Sequence, residues 1–358
     1  MRKPALFAVI AAIVVLAIVV FLALRSATGP LYRPGMVRAE KRLHSPLEPP
    51  GQTAGENLWN VEPDIRLFHF EDGSGQVVLV VHGGPGYPYM APLPALHELA
   101  DRYRWVYYHQ RGCGNSTRPI DRFDRGSVYR HIRTLDRVLG LGAQVADIER
   151  IRRILGVDRM VLLGHSFGAF LATLYAAEFP ERVRGLVLMA PAQLLKVPGP
   201  GNLLDEVRAN LPAELQTEYS SYLKEYFDFK GHFARGEGEL LALNARFTRF
   251  YLAAARQKGM PIPSSLRFHG NGGWMVQAMY LSMGRRRDYT PALARVVAPV
   301  LILHGGRDLQ SEAASKVYRE ALPNAELRIL PECGHFMFGD HPEEVASAVD
   351  DFLARLPQ

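Results

Sequence analysis

Residues 160–178 read MVLLGHSFGAFLATLYAAE. Four apolar residues run into Gly164-His165-Ser166-Phe167-Gly168, and an apolar, alanine-rich stretch follows. The first part has the length of a buried strand and the last part that of a helix ending before Pro180. A turn from strand to helix over so few residues strains the serine backbone and lifts its hydroxyl out. Glycine is then required on both sides, because a side chain at 164 or 168 would strike the neighbouring strand or helix. The helix N-terminus behind Ser166 favours negative charge developing there. A bare G-x-S-x-G occurs by chance with a purely structural serine; the strand–turn–helix context marks a nucleophile.

A serine hydroxyl needs a base to take its proton and a carboxylate to orient that base. After such an elbow the expected chain order is serine, acid, histidine. Asp308 ends His304-Gly305-Gly306-Arg307-Asp308, just past the apolar run 300–304, and His335 lies in PECGHF (331–336) after the run 326–330. Both would hang from the C-terminal ends of strands in one sheet, where open α/β sheets collect their sites. The plainer alternative makes Asp308 a helix cap or loop residue, with Glu332 or Asp340 as the substitute acid.

Outward from the elbow, short apolar runs at 65–70, 77–82, 105–109 and 183–189 alternate with helical stretches at 143–155, 312–321 and 343–356. Such alternation implies right-handed crossovers and a mostly parallel sheet covered on both faces. From 193 to 292 it breaks: the chain is aromatic-rich and helical in pattern, with no clear strand. An insertion that long is a cap rather than a plain loop, since structureless loops beyond about 12–15 residues are uncommon.

Residues 77–89, VVLVVHGGPGYPY, carry an apolar strand into a knot of glycine and proline. Bare backbone at that point suits a phosphate or an oxyanion. A P-loop would end in Lys-Ser/Thr, and a dinucleotide site would carry G-x-G-x-x-G into a helix; the stretch has neither.

HGGPG (82–86), QRGCGNS (110–116), the elbow and the Asp308 and His335 endings together resemble the α/β-hydrolase fold, and more narrowly its proline iminopeptidase-like branch. The resemblance spans about residues 60–192 and 293–358. It implies an eight-stranded-type, mostly parallel sheet with helices on both faces, forming a core of 61–192 and 293–358 with a helical cap at 193–292. It also implies a catalytic Ser166, His335 and Asp308, and an oxyanion hole from the N–H groups of Gly84 and Phe167, with Gly83 beside them. Two convergent N–H groups would each be worth a few kcal/mol of barrier. His82, Gly83, His165 and Trp274 are the candidate substrate contacts.

The chain also departs from that branch. His109 stands where the family carries Asp before Gln-Arg-Gly, and Arg111 reads as a loop-bracing ion-pair residue. Proline iminopeptidases hold the substrate amine with cap acids, commonly in a Trp-Glu pair. Here the cap has Trp274 but no Trp-Glu, leaving Glu206, Glu214, Glu218 and Glu225, each as easily a solvated helix face. GHSFGA reads like general esterases, where aminopeptidases of the branch carry Gly-Gly-Ser-Trp-Gly. Tyr219, Tyr222, Tyr226, Phe227, Phe247, Phe250 and Tyr251 could line an acyl pocket or equally form the cap core.

Composition narrows the class further. At 358 residues with 48% apolar content the chain buries a large core. Its net charge of +6 comes from dispersed arginines without interleaved aromatics, which argues against nucleic acid. Twenty consecutive apolar residues, Ala5 to Leu24, follow Arg2 and Lys3. That length suits a membrane span better than a signal-peptide core, so 1–25 is expected to anchor the chain through 26–60, a Pro/Gly-rich linker. Basic residues before the span favour a catalytic domain outside the cytoplasm, with secretion after cleavage as the alternative. The two cysteines, Cys113 and Cys333, are candidates for a disulfide bracing the histidine loop.

The expected function is a serine hydrolase that cleaves an ester or amide of a small molecule or short peptide through an acyl-enzyme, without metal or organic cofactor. It is most like a proline iminopeptidase-type aminopeptidase. The alternatives are a carboxylesterase or lipase-like hydrolase of small acyl esters or lactones and, in another class, a non-catalytic binding protein of the same fold. Dehalogenase and epoxide hydrolase chemistry is disfavoured, because those use Asp at the elbow.

Overall fold

A computed structural model describes residues 29–264 and 272–357. The apolar run 5–24 and Asn271 lie outside the described residues, among which no helix is long and apolar enough to cross a membrane.

Near-continuous apolar runs set the sheet. In chain order the strands are β1 (Leu58–Glu62), β2 (Ile65–Asp72), β3 (Gln76–Val81), β4 (Tyr103–Tyr108), β5 (Met160–His165), β6 (Val183–Met189), β7 (Lys196–Val197), β8 (Arg287–Asp288), β9 (Val300–Gly305) and β10 (Ala325–Leu330). Eight of them form one sheet in the order β1-β2-β4-β3-β5-β6-β9-β10. From β4 to β10 every pairing is parallel; β1 and β2 join antiparallel at one edge. Every residue of β5 and β9 is buried, as expected where helices cover both faces of a parallel sheet.

The helices are α1 (Pro94–His97), α2 (Val128–Leu139), α3 (Leu141–Ile154), α4 (Phe167–Glu178), α5 (Leu203–Asn210), α6 (Gln216–Tyr226), α7 (Phe229–His232), α8 (Glu237–Gln257), α9 (Trp274–Met283), α10 (Thr290–Leu293), α11 (Ala313–Ala321), α12 (Met337–Asp340) and α13 (Pro342–Ala354). Helices α5 to α9 make up the insertion after β6. Its entry and exit do contain short strands: β7 pairs antiparallel with β8, Lys196 opposite Asp288. Helix α2 was not singled out from the sequence, although Ile132, Leu135 and Leu139 stand at helical intervals.

The stretch read as a linker packs in part against the body, while residues 51–57 are exposed. Tyr32, Val37 and Leu47 are buried. Glu178, at the end of α4, accepts from the Tyr32 hydroxyl (2.9 Å) and the N–H groups of Val37 (3.3 Å) and Arg38 (3.1 Å). A buried carboxylate needs such donors, and this segment supplies them.

Strand order places the site. β3 is flanked by β4 on one side and β5 on the other, so the winding direction reverses between β3 and β5. Ligand crevices of open α/β sheets open at such a reversal, beyond the C-terminal strand ends. HGGPG leaves β3 there, and the elbow leaves β5.

Candidate active site

Ser166 caps α4 with φ +54° and ψ −117°, a conformation L-residues rarely adopt. Its surroundings hold it there. The Ser166 N–H donates to Met189 O (2.9 Å), and its carbonyl accepts from Ala169, Phe170 and Ala192. A Cβ on Gly164 would stand 2.6 Å from the Ala169 Cα, and one on Gly168 would run into the Val81 carbonyl. The flanking glycines therefore let strand, turn and helix close onto β3. Phe167, as the first residue of α4, has no carbonyl four residues back to accept its N–H.

The HGGPG loop backs onto this turn. A Cβ on Gly83 would lie 3.1 Å from Ser166 Cβ, and Gly84 has φ +120°. Gly84, Pro85, Ser166 and Phe167 line one cavity together, which brings the two expected oxyanion donors to the nucleophile's side.

Asp308, after β9, accepts from His335 Nδ1 at 2.7 Å, and its other oxygen takes the Gln310 N–H at 2.8 Å. Burial opposes the charged carboxylate. The neighbouring His335, its hydrogen bond, His304 and the Gln310 N–H outweigh it and hold the Asp308 pKa below the ordinary value. With Nδ1 engaged, Nε2 is the His335 nitrogen left for proton transfer. The His335 carbonyl is bonded to His165 Nε2 at 2.9 Å, so the histidine loop docks against the residue preceding Ser166.

The other expected contacts have different places. His82 is fully buried: its Nδ1–H donates to Gly83 O (3.0 Å) and its Nε2 accepts the Gln110 N–H (3.0 Å). His165 is buried, and Trp274 is buried with its indole N–H on Asp121 O (3.0 Å). None of these three, nor Gly83, is among the residues that line the cavity, and neither are Asp308 and His335. Burial pushes the pKa of His82 down to about 3, and burial with the adjacent His335 does the same to His165.

His109 replaces the family's Asp by bridging two loops: Nδ1 accepts the Asn115 N–H (3.0 Å) and Nε2 meets Tyr89 O (3.0 Å). Arg111 braces as expected, with Nε on Asp147 (2.6 Å) and a terminal nitrogen on Glu62 (2.8 Å). The disulfide does not form: both cysteines are free. Cys113 Sγ faces Gln110 O (3.2 Å) and His82 Nε2 (3.6 Å), whereas Cys333 Sγ turns to Glu344 (3.8 Å).

Sequence reasoning missed Lys258 and Met260, beyond the end of α8. Lys258 Nζ donates to the carbonyls of Asp308 (2.8 Å) and Leu309 (3.1 Å), and Met260 Sδ takes the Leu309 N–H (3.2 Å). A Cβ on Gly334 would meet Pro261 O at 2.8 Å, so the same loop presses on the residue before His335. No motif marks these residues; only the cap's docking brings them to the acid loop.

The cavity holds about 1480 Å³, above the roughly 300–1,000 Å³ of ordinary small-molecule sites. Of the aromatics singled out, Tyr226, Phe227 and Phe247 line it. Tyr219, Tyr222 and Phe250 are buried against one another as cap core, and Tyr251 lies edge-on to the His335 ring. None of the four cap glutamates lines the cavity; Glu218 pairs with Arg249 (2.6 Å) and Glu225 with Arg246 (2.6 Å). Among the described residues the lining carboxylates are Asp205 and Asp228, set against Lys230, Arg285 and Arg287. Asp228 caps α7 through the Gly231 N–H (3.0 Å).

Comparison with known proteins agrees with this geometry. A family model described as alpha/beta hydrolase fold matches residues 76–342. A proline iminopeptidase of Saccharolobus solfataricus is 27% identical over 309 residues, covering 83% of this chain and 91% of that protein. A thermophilic esterase from Thermogutta terrifontis shares the fold at 21% identity and a TM-score of 0.52, over 81% of this chain and 94% of that one. A membrane phospholipase A described as a bacterial virulence factor does so at 20% identity and TM-score 0.52, over 99% and 98% of the two chains.

Proposed function

The chain belongs to the α/β-hydrolase family, and from that premise we propose that this hydrolase cleaves carboxylic esters with an extended apolar acyl group. Ser166 Oγ attacks the ester carbonyl as His335 Nε2 takes its proton. Asp308 stabilises the imidazolium, and the N–H groups of Gly84 and Phe167 receive the oxyanion. The C–O bond breaks, the alcohol leaves with the proton from His335, and water activated by the same histidine releases the acid and restores Ser166.

The observation that carries the ester assignment is the cavity. It joins Ser166 to a large aromatic lining in which cations outnumber carboxylates. A cation repels the free N-terminal amine that an aminopeptidase must hold, and an ester carries no such charge. Aminopeptidase action remains the second reading, favoured by similarity to proline iminopeptidases along most of the chain.

Labelling by a fluorophosphonate that disappears in Ser166→Ala tests the nucleophile; unlabelled but folded wild-type protein would exclude a serine hydrolase. A p-nitrophenyl ester series should then show kcat/KM rising from acetyl to longer acyl chains and exceeding that for prolyl arylamides. The reverse order would establish the aminopeptidase.

A further inference from the structure

We propose that the cavity draws its substrate from a membrane surface, as an acyl ester with an anionic head group. This rests on the ester assignment above and adds where the substrate comes from and what recognises its polar end.

The first observation is where the chain enters the structure. Gly29 and Leu31 line the same cavity as Ser166. The N–H groups of Leu31 and Tyr32 both donate to Ser282 O (2.9 and 3.2 Å), and a Cβ on Gly284 would lie 2.6 Å from Gly29 O. The segment is thus clamped to the end of α9, at the cavity's edge. Leu24, the last residue of the twenty-residue apolar run, precedes Gly29 by five positions. Five residues reach at most about 17 Å. With that run in a bilayer, whose hydrocarbon takes about 20 apolar residues to cross, the cavity rim stays within reach of the head groups.

The second observation is charge. Arg285 and Arg287 line the cavity beside Gly284, with exposed Arg286 between them, and Lys230 lines it from the cap. None of the four pairs with a carboxylate among the described residues; the Arg287 guanidinium donates to the Leu194 and Gly284 carbonyls (both 2.8 Å). Tyr129, 69% exposed, lines the cavity from α2, next to exposed Arg130. Unpaired arginines with an exposed aromatic suit an anionic lipid surface, which attracts cations and seats amphipathic rings at head-group level. The cavity's volume of about 1480 Å³ accommodates the acyl chain behind them.

The test uses the full chain reconstituted into vesicles, with fatty-acid release as the readout. Phosphatidylglycerol vesicles should be hydrolysed about tenfold faster than phosphatidylcholine vesicles of the same acyl chains. In Arg285→Gln/Arg286→Gln, folded by circular dichroism, that ratio should fall towards one. Dihexanoyl-phosphatidylglycerol dispersed as monomers should turn over more slowly than the vesicle lipid. Equal rates on the two vesicles, a ratio the double variant leaves unchanged, or faster turnover of monomers would each overturn the proposal. Cleavage of p-nitrophenyl esters without any vesicle hydrolysis would overturn it and leave the ester assignment standing. Absence of both, with no fluorophosphonate labelling, would instead remove the assignment on which it rests.

Discussion

Ser166 illustrates how a single residue is held against its own preference. Its φ of +54° costs on the order of 1–3 kcal/mol, and the bonds to Met189 and Ala192 keep it there. Around it, histidines are kept neutral by burial. His82 and His165 have pKa values pushed down to about 3, well below the ordinary imidazole value near 6.5. Between those limits the unfolded chain binds protons that the folded chain does not, so stability falls as pH drops below about 6.5. At pH 5 each histidine costs about 2 kcal/mol relative to neutral pH. Thermal melts should therefore show Tm declining from pH 7 to pH 5, with a shallower decline in His82→Asn than in the wild type. Parallel slopes would show that His82 takes up protons equally in the folded and unfolded chain, so that burial does not lower its pKa.

At the scale of elements, the acid loop after β9 is shaped from two sides. The sheet supplies its anchor, and the cap supplies Lys258 and Met260. A hydrogen bond to a charged donor is worth about 1.5–3 kcal/mol, enough to hold Asp308 in register with His335. Lys258→Met keeps the stem and removes the ammonium, and it is expected to lower kcat about tenfold while KM changes little. Lys258→Arg should recover part of the loss. A variant with unaltered kcat would show that the loop holds itself. An equal fall in stability and kcat would make Lys258 a structural brace instead.

The whole molecule is tied together across its layers by buried charge. Arg111, after β4, meets Asp147 of α3 and Glu62 of β1, and Arg150 reaches Asp147 (3.1 Å) and Glu62 (2.9 Å) as well. All four side chains are essentially without solvent exposure. Removing one member of such a set leaves the opposite charges uncompensated, typically at about 3–5 kcal/mol. Arg111→Met should lose that much in urea unfolding, with fluorophosphonate labelling retained at low denaturant. A loss under about 1 kcal/mol would mean that Arg150 alone satisfies both carboxylates.

Much of this was legible beforehand, for physical reasons that differ by region. The elbow, HGGPG, Asp308 and His335 could be read because each demands a residue type at a fixed place relative to a strand end. Most strands of the main sheet could be located, to within a residue or two at their ends, from apolar runs, which a sheet buried on both faces imposes, whereas the short β7 and β8 carry no such run. The sequence could not say which polar residues near those motifs face the cavity. His82, His165 and Trp274 read as candidate substrate contacts, and all three are buried and absent from the cavity lining. Nor could it assign the cap aromatics, since one helical spacing serves core and cavity alike. What the sequence determined by itself was a local arrangement: a serine at a strand-to-helix turn, an aspartate and a histidine after successive late strands, and glycines directly after β3. What only the tertiary structure decided was which distant segments meet there. Lys258 on Asp308 and Gly29 against Gly284 depend on how the cap and the N-terminal segment pack, and packing between remote segments leaves no periodicity to read.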